Sequence, residues 1–153
     1  MYIHFGIITP DNWRTFNKLK VKEDQKEFVA SNLTILARAY AFRDSNSQVY
    51  AIYNEDIPIG LLMQREYEED NQLFCVLDQF MIAEKHQRMG YGKAAMKLWM
   101  ELIKKQNRYN SIILCYIEGD ETAKNLYLNI GFHHTDEVDG NEIVMEYILE
   151  NNP

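Results

Sequence analysis

Apolar residues recur along this chain in two rhythms, and the switches between them mark the predicted elements. Alternation over Tyr2 to Ile8 predicts an opening strand, and Thr9-Pro10-Asp11 then signals a turn into a short helix carrying Trp13 and Phe16. From Asp24 to about Phe42, Phe28, Val29, Leu33, Leu36, Ala37 and Tyr40 fall at three- and four-residue steps, which predicts one helix with a single apolar face. Three strands follow over Gln48 to Tyr53, Ile57 to Arg65 and Leu73 to Ile82. They are separated by the turn Asn54-Glu55-Asp56 and the acidic loop Glu68-Glu69-Asp70-Asn71, and such short connections predict an antiparallel meander. After Gly90, the stripe Ala95, Leu98, Trp99, Leu102 and Ile103 predicts a strong amphipathic helix, with Lys104 and Lys105 favouring its negative end. A strand over Ser111 to Ile117 leads to a shorter helix with Ala123, Leu126, Tyr127 and Ile130 on one face and Gly131 in the C-cap place. Two last strands, near Phe132 to Val138 and Glu142 to Leu149, flank Asp139-Gly140-Asn141, a hairpin signal. The pattern is α+β, a mixed sheet with helices on its faces.

Composition narrows this modestly. At 153 residues and 46% hydrophobic content the chain closes one core, so a single domain over 1–153 is expected, with a frayed tail over 150–153. No apolar run reaches the roughly 18 residues that span a bilayer, and the opening MYIHFGIITPDNW has neither a basic leader nor a small-residue cleavage site. A cytoplasmic protein without membrane contact is therefore expected. Cys75 and Cys115 sit in apolar runs without a Cys/His cluster, which predicts two buried free thiols and no metal site. A net charge of −7 disfavours nucleic acid and suits a cationic partner. The histidines His4, His86, His133 and His134 form no triad or metal spacing.

The most informative stretch is LDQFMIAEKHQRMGYGKAAMKLWMELIKK, in which a strand passes through a Gly-x-Gly turn into the strong helix. Glycines let the backbone approach a ligand closely, and the free N–H groups and positive dipole end of a helix attract phosphate. A tight turn using glycine only for backbone freedom is the plainer reading. The P-loop pattern fails, because Gln87 stands five before Gly92 and Ala94 follows Lys93. The dinucleotide fingerprint is formally met by Gly90, Gly92 and Ala95. However, the polar segment Ala83 to Met89 separates the strand from the first glycine, and a meander precedes it in place of a parallel crossover.

A third pattern, [R/Q]-x-x-G-x-[G/A], is satisfied by Gln87-Arg88-Met89-Gly90-Tyr91-Gly92, and here the chain resembles the GNAT (general N-acetyltransferase) superfamily. The likeness takes in the strand Leu77-Asp78-Gln79-Phe80-Met81-Ile82 and ETAKNLYLNIGF, similar to the second motif A-x-x-L-Y-x-x-x-G-F, covering about Leu73 to Phe132. More narrowly, LKVKEDQKEFVASNLTILARAYAF resembles bacterial spermine/spermidine acetyltransferases. The resemblance implies a mostly antiparallel sheet of about six to seven strands with helices on both faces, and acetyl transfer from acetyl-coenzyme A to a primary amine of a polyamine in a ternary complex. Another amine acceptor (a protein lysine or N-terminus, an antibiotic) and a silent coenzyme A-binding module are the alternatives. Many members are dimers, so a homodimer is the assembly to test.

The same resemblance implies site residues. Backbone N–H groups of Arg88, Met89, Gly90, Tyr91, Gly92 and Lys93 would hold the pyrophosphate, with Gln87 opening the loop, and main-chain groups of Phe80, Met81 and Ile82 would pair with the pantetheine like an added strand. Lys93 reads equally as a solvated first-turn lysine. Asp120 and Asn125 are expected at the cofactor, although Asp120 stands where the superfamily often has Asn. An ammonium of pKa about 10.4 must lose a proton before attack, and Asp78 is the expected base, acting directly or through water. By alternation alone, Asp78 would be a solvent-facing strand residue. Tyr127 matches the tyrosine that assists the leaving thiolate, while periodicity alone would make it a core residue. For a cationic acceptor the candidate carboxylates are Asp24 and Glu27 beside the second helix and Glu66, Glu68 and Glu69 beside the central strands, the last two also reading as solvated loop residues.

Overall fold

The computed structural model describes residues 1–150, so the frayed tail expected over 150–153 falls, except for Glu150, outside the described residues. Seven strands form one sheet: β1 (Ile3–Gly6), β2 (Gln48–Asn54), β3 (Ile57–Glu69), β4 (Gln72–Ile82), β5 (Ser111–Ile117), β6 (His133–Asp139) and β7 (Glu142–Ile148), in the order β1-β2-β3-β4-β5-β7-β6. Only β4 and β5 pair in parallel. The helix α3 (Tyr91–Gln106) makes the crossover that this requires. Helices α3 and α4 (Glu121–Asn129) cover one face of the sheet, around Trp99, Ile103, Leu62, Leu77, Leu114 and Tyr127. Helices α1 (Trp13–Asn17) and α2 (Asn32–Ala41) cover the other, where Phe16, Ile35, Ala51, Leu61, Met63 and Met81 are buried together.

Two departures from the sequence pattern matter. The helix expected from Asp24 is divided: a 3-10 turn over Glu23–Gln25 runs on into a turn over residues 26–28 and a bend at Val29, and α2 begins only after Ser31, whose hydroxyl accepts the N–H of Thr34 as an N-cap. This releases Phe28, Val29 and Ala30 to line a cavity. The acidic loop is shorter than expected, because Asp70 (φ 51) and Asn71 (φ 63) are both left-handed, as a two-residue hairpin turn demands. Strand β3 therefore runs on through Glu69, with Glu68 opposite Leu73.

The feature that makes the site is a bulge. Met63 pairs with Gln79 and Gln64 with Leu77, so Asp78 is an extra residue with no partner on β3. A bulge bends and twists its strand. Leu77 opposite Leu114 is also where the parallel ladder between β4 and β5 stops. Beyond that rung β4 continues only with β3, and β5 only with β7.

Candidate active site

The gap between the parted strands opens into a cavity of about 510 Å³. Its walls come from β4 (Val76–Ile82), β5 (Cys115–Ile117), α4 (Ala123, Leu126, Tyr127), the stretch before α2 and the loop before α3. One wall is the β4 edge from Asp78 to Ile82, which has no strand partner on the β5 side. An extended chain bearing amides can hydrogen-bond along such an edge.

At one end of the cavity stands the N-terminus of α3. Gly90, the N-cap, has φ 85, a conformation costly for any residue with a Cβ, and no side chain caps the helix. Arg88 is also left-handed, at φ 62. The loop is tied down by Gln87, whose amide donates to the carbonyl of Ile82 at 2.8 Å and pairs reciprocally with Gln25. Gly92 lines the cavity, and a Cβ built there would come no closer to protein than 3.8 Å, at Ile82 Cγ1. Nothing in the protein itself needs glycine at that place, whereas a group approaching the helix N-terminus does. Free helix N–H groups, a glycine cradle and an open strand edge fit the pyrophosphate and pantetheine arm of coenzyme A.

Of the residues expected at the cofactor, Phe80, Met81, Ile82, Gln87, Arg88, Gly92 and Asp120 line the cavity. Gly90 and Tyr91 shape the loop, with the Tyr91 hydroxyl accepting from Asn54 at 3.2 Å. Met89, Lys93 and Asn125 are exposed and stand outside the lining.

Asp78 differs most from expectation. Its side chain is only 3% exposed, and four N–H donors fill its carboxylate. Arg38 Nε (2.8 Å) and Gln79 Nε2 (3.1 Å) bond Oδ1; Arg38 Nη2 (2.9 Å) and Arg65 Nε (2.7 Å) bond Oδ2. A carboxylate has about four acceptor positions, so none is left for an ammonium proton. Burial alone would raise its pKa, but the bonds from Arg38, Arg65 and Gln79 outweigh burial and hold the carboxyl below the usual aspartate range. As arranged, Asp78 anchors α2 to the sheet and is not a free base.

Tyr127 is 7% exposed and lines the cavity, and its ring packs at 6.0 Å from that of Phe132. Its hydroxyl has no hydrogen-bond partner among the described residues. No buried polar side-chain atom among them lacks a partner, so this hydroxyl reaches open space. Burial raises its pKa, and the charge of Asp120 adds to the effect, so the phenol stays protonated at any working pH. It is a donor aimed into the cavity.

The remaining carboxylates fall into two groups. Asp24 and Glu27 are exposed on the outer side of the segment whose Gln25 and Phe28 face the cavity. Glu66 belongs to the far end of the sheet, where its Oε1 accepts from Arg108 (2.6 Å), Tyr109 (2.8 Å) and Asn46 (2.9 Å). Glu68 is exposed beside the β3–β4 turn. None of these four lines the cavity, whereas Glu142, which the sequence did not single out, and Asp120, expected at the cofactor and not at the acceptor, do. The sequence reading also missed Arg38, Arg65 and Gln25. Cys115 corrects the expected pair of buried thiols. Cys75 is buried, but Cys115 is exposed at the cavity, with its thiol pushed up to about 11 by partial burial and the charge of Glu142. Among the described residues no His/Cys/Asp/Glu cluster could hold a metal, and no helix is long and apolar enough to cross a membrane.

The Acetyltransferase (GNAT) family model matches residues 9–132. The chain belongs to this family. It is an acetyl-CoA-dependent N-acetyltransferase. Over 145 residues, 92% of this chain and 94% of the relative, the GNAT protein is 29% identical to the spermine/spermidine N(1)-acetyltransferase of Bacillus subtilis (strain 168). Its fold matches the aminoglycoside acetyltransferase AAC(6')-Ib in complex with coenzyme A (TM-score 0.78, 13% identity, 95% of this chain and 94% of that one). It also matches the spermidine N-acetyltransferase of Vibrio cholerae in complex with CoA and spermine (TM-score 0.74, 14% identity, 97% and 96%). At such identities these GNAT structures share a fold with this one and no more.

Proposed function

We propose that this GNAT enzyme acetylates a primary amine of a polyamine such as spermine or spermidine. The likeness carrying the reading is the 29% identity to a spermine/spermidine N(1)-acetyltransferase across 92% of the chain. The net charge of −7 and two cavity carboxylates, Asp120 and Glu142, that form no ion pair among the described residues support a polycationic acceptor.

In this reading acetyl-CoA supplies the thioester. The N-terminus of α3 binds its pyrophosphate, the β4 edge aligns its pantetheine, and the acceptor amine attacks without any covalent enzyme intermediate. Tyr127 donates its hydroxyl hydrogen to the departing sulfur. Asp78 keeps Arg38 and Arg65 in place at the acceptor side. Incubation with spermine, spermidine and labelled acetyl-CoA tests the claim, and unlabelled polyamine would reject it while leaving the family assignment intact.

One observation favours a second acceptor class. Arg38 and Arg65 both line the cavity, and most of their N–H donors have no acceptor among the described residues. Oxygen acceptors would satisfy them, which a peptide amine offers and a polyamine lacks. A panel containing both peptides and polyamines separates the two.

A further inference from the structure

We propose that Asp120, and not Asp78, takes the proton from the acceptor's ammonium. Three carboxylates line the cavity: Asp78, Asp120 and Glu142. Asp78 has no acceptor position left, and Glu142 is exposed at the start of β7. Asp120 is the N-cap of α4: its Oδ1 accepts the N–H of Ala123 at 3.2 Å, and its second oxygen has no partner among the described residues. One oxygen fixes the side chain while the other is free to work.

Its place on the helix suits the task. Asp120 caps the start of α4 and Tyr127 lies about two turns further along the same element, roughly 10 Å of rise away along the backbone. Both line the same cavity. A proton acceptor and a proton donor thus open onto the one cavity in which an attacking nitrogen, a carbonyl carbon and a departing sulfur would meet.

The surroundings suit a base as well. Burial raises the Asp120 pKa, only partly offset by the Ala123 N–H, and Glu121 next to it adds to the rise. Lys22, Arg38, Arg65 and Arg88 line the cavity from other elements, with Asp78 and Glu142 opposing them, yet no cation makes an ion pair with Asp120 among the described residues. A carboxylate with a raised pKa is a stronger base than one pinned by two guanidiniums.

The proton count closes. The ammonium gives one proton to Asp120, which passes it to solvent. The N–C bond forms as the C–S bond breaks. The second nitrogen proton replenishes the hydrogen that Tyr127 gives to the sulfur, leaving a neutral amide and a thiol.

The proposal rests on acetyl transfer to an amine and not on the polyamine reading. Asp120→Asn is the test, because Asn caps a helix as well as Asp does and the fold should be kept. On whichever amine the wild type acetylates, we expect kcat/KM to fall about 100-fold near neutral pH and to recover in part as pH rises toward the amine's own pKa. Coenzyme A affinity by calorimetry should stay within about threefold of wild type. Retention of a third or more of the activity overturns the proposal, as does a loss of coenzyme A affinity matching the loss of turnover, which would make Asp120 a cofactor contact. Asp120→Ser, a capping residue without a carboxylate, is read the same way if the Asn variant does not fold. A carbon-detected NMR titration of the free protein gives a readout without any acceptor. We expect the Asp120 carboxyl to titrate above the ordinary aspartate range, and titration at or below it overturns the proposal. A wild type acetylating only peptide amines rejects the polyamine reading and leaves the comparison in force; one acetylating no amine rejects acetyl transfer and this proposal together.

Discussion

Leu77 of β4 and Leu114 of β5 face each other across the last rung of the sheet's one parallel ladder. Both are buried against Trp99 and its neighbours, so the strands are clamped together up to this rung and separate immediately after it. The site is the continuation of that separation: an unpaired β4 edge on one side, Cys115–Ile117 on the other, and the α3 N-terminus at the end.

Gly92→Ala isolates cofactor binding from folding. The added methyl meets no protein atom nearer than 3.8 Å, and alanine favours a helix over glycine by up to about 1 kcal/mol, so thermal stability should hold or rise. Acetyl-CoA affinity, measured by calorimetry, should fall at least about tenfold because the methyl occupies the cradle. Wild-type affinity in the alanine variant would remove the phosphate-loop assignment, and Gly92→Val should weaken binding further.

Tyr127→Phe deletes a hydroxyl that bonds no residue among those described, so the unfolding midpoint should hardly change. Turnover should drop by about 100-fold at every pH, with no recovery at high pH, because the missing group is a donor and not a base. A pH–rate profile matching wild type would return Tyr127 to a packing role.

Asp78→Asn should behave as a stability variant. The folded carboxyl titrates below its unfolded value, so its contribution is complete above the unfolded pKa of about 3.9 and is lost as pH falls through the lower folded value. Urea unfolding above pH 5 should show the variant weaker by about 2–3 kcal/mol, the range for hydrogen bonds to charged groups, and the gap should close as pH drops below about 4. Equal stability at pH 7 would contradict the anchoring role.

Glu66→Gln tests the relocation of an expected acceptor residue. Its bonds to Arg108, Tyr109 and Asn46 put it at the distal end of the sheet, so KM for the amine should change by less than about twofold while stability falls by about 1–2 kcal/mol. A large rise in KM would place an acceptor subsite where the structure has none.

What could be foreseen followed locality. The α3 helix, the Gly90 cap and the Gly131 C-cap are written within a few residues of themselves, and they were legible. Tyr127 was legible only because a motif reversed what its apolar stripe suggests. The partners of Asp78 were not legible because they lie 40 and 13 residues away, and an arginine on a helix's polar face looks the same whether it points at water or at a carboxylate. The start of α2 was missed although Ser31 is a standard N-cap residue, since Phe28 and Val29 keep the helical spacing while lining a cavity instead. Cys115 is exposed because β5 loses its β4 neighbour just after Leu114, a fact about register that no local pattern holds.

The bulge at Asp78 acts as a phase shifter. Before it the odd residues Cys75 and Leu77 point to the α3 side, and after it the even residues Phe80 and Ile82 do. Pairing Asp78 into a regular ladder would turn either Phe80 and Ile82 or Cys75 and Leu77 to the opposite face, because alternation counts every residue. At its present length the chain therefore cannot straighten its active-site edge without turning part of its own core inside out. Substitutions at this place can tune the chemistry, whereas deleting Asp78 would keep the core faces in phase and remove the bulge that shapes the site.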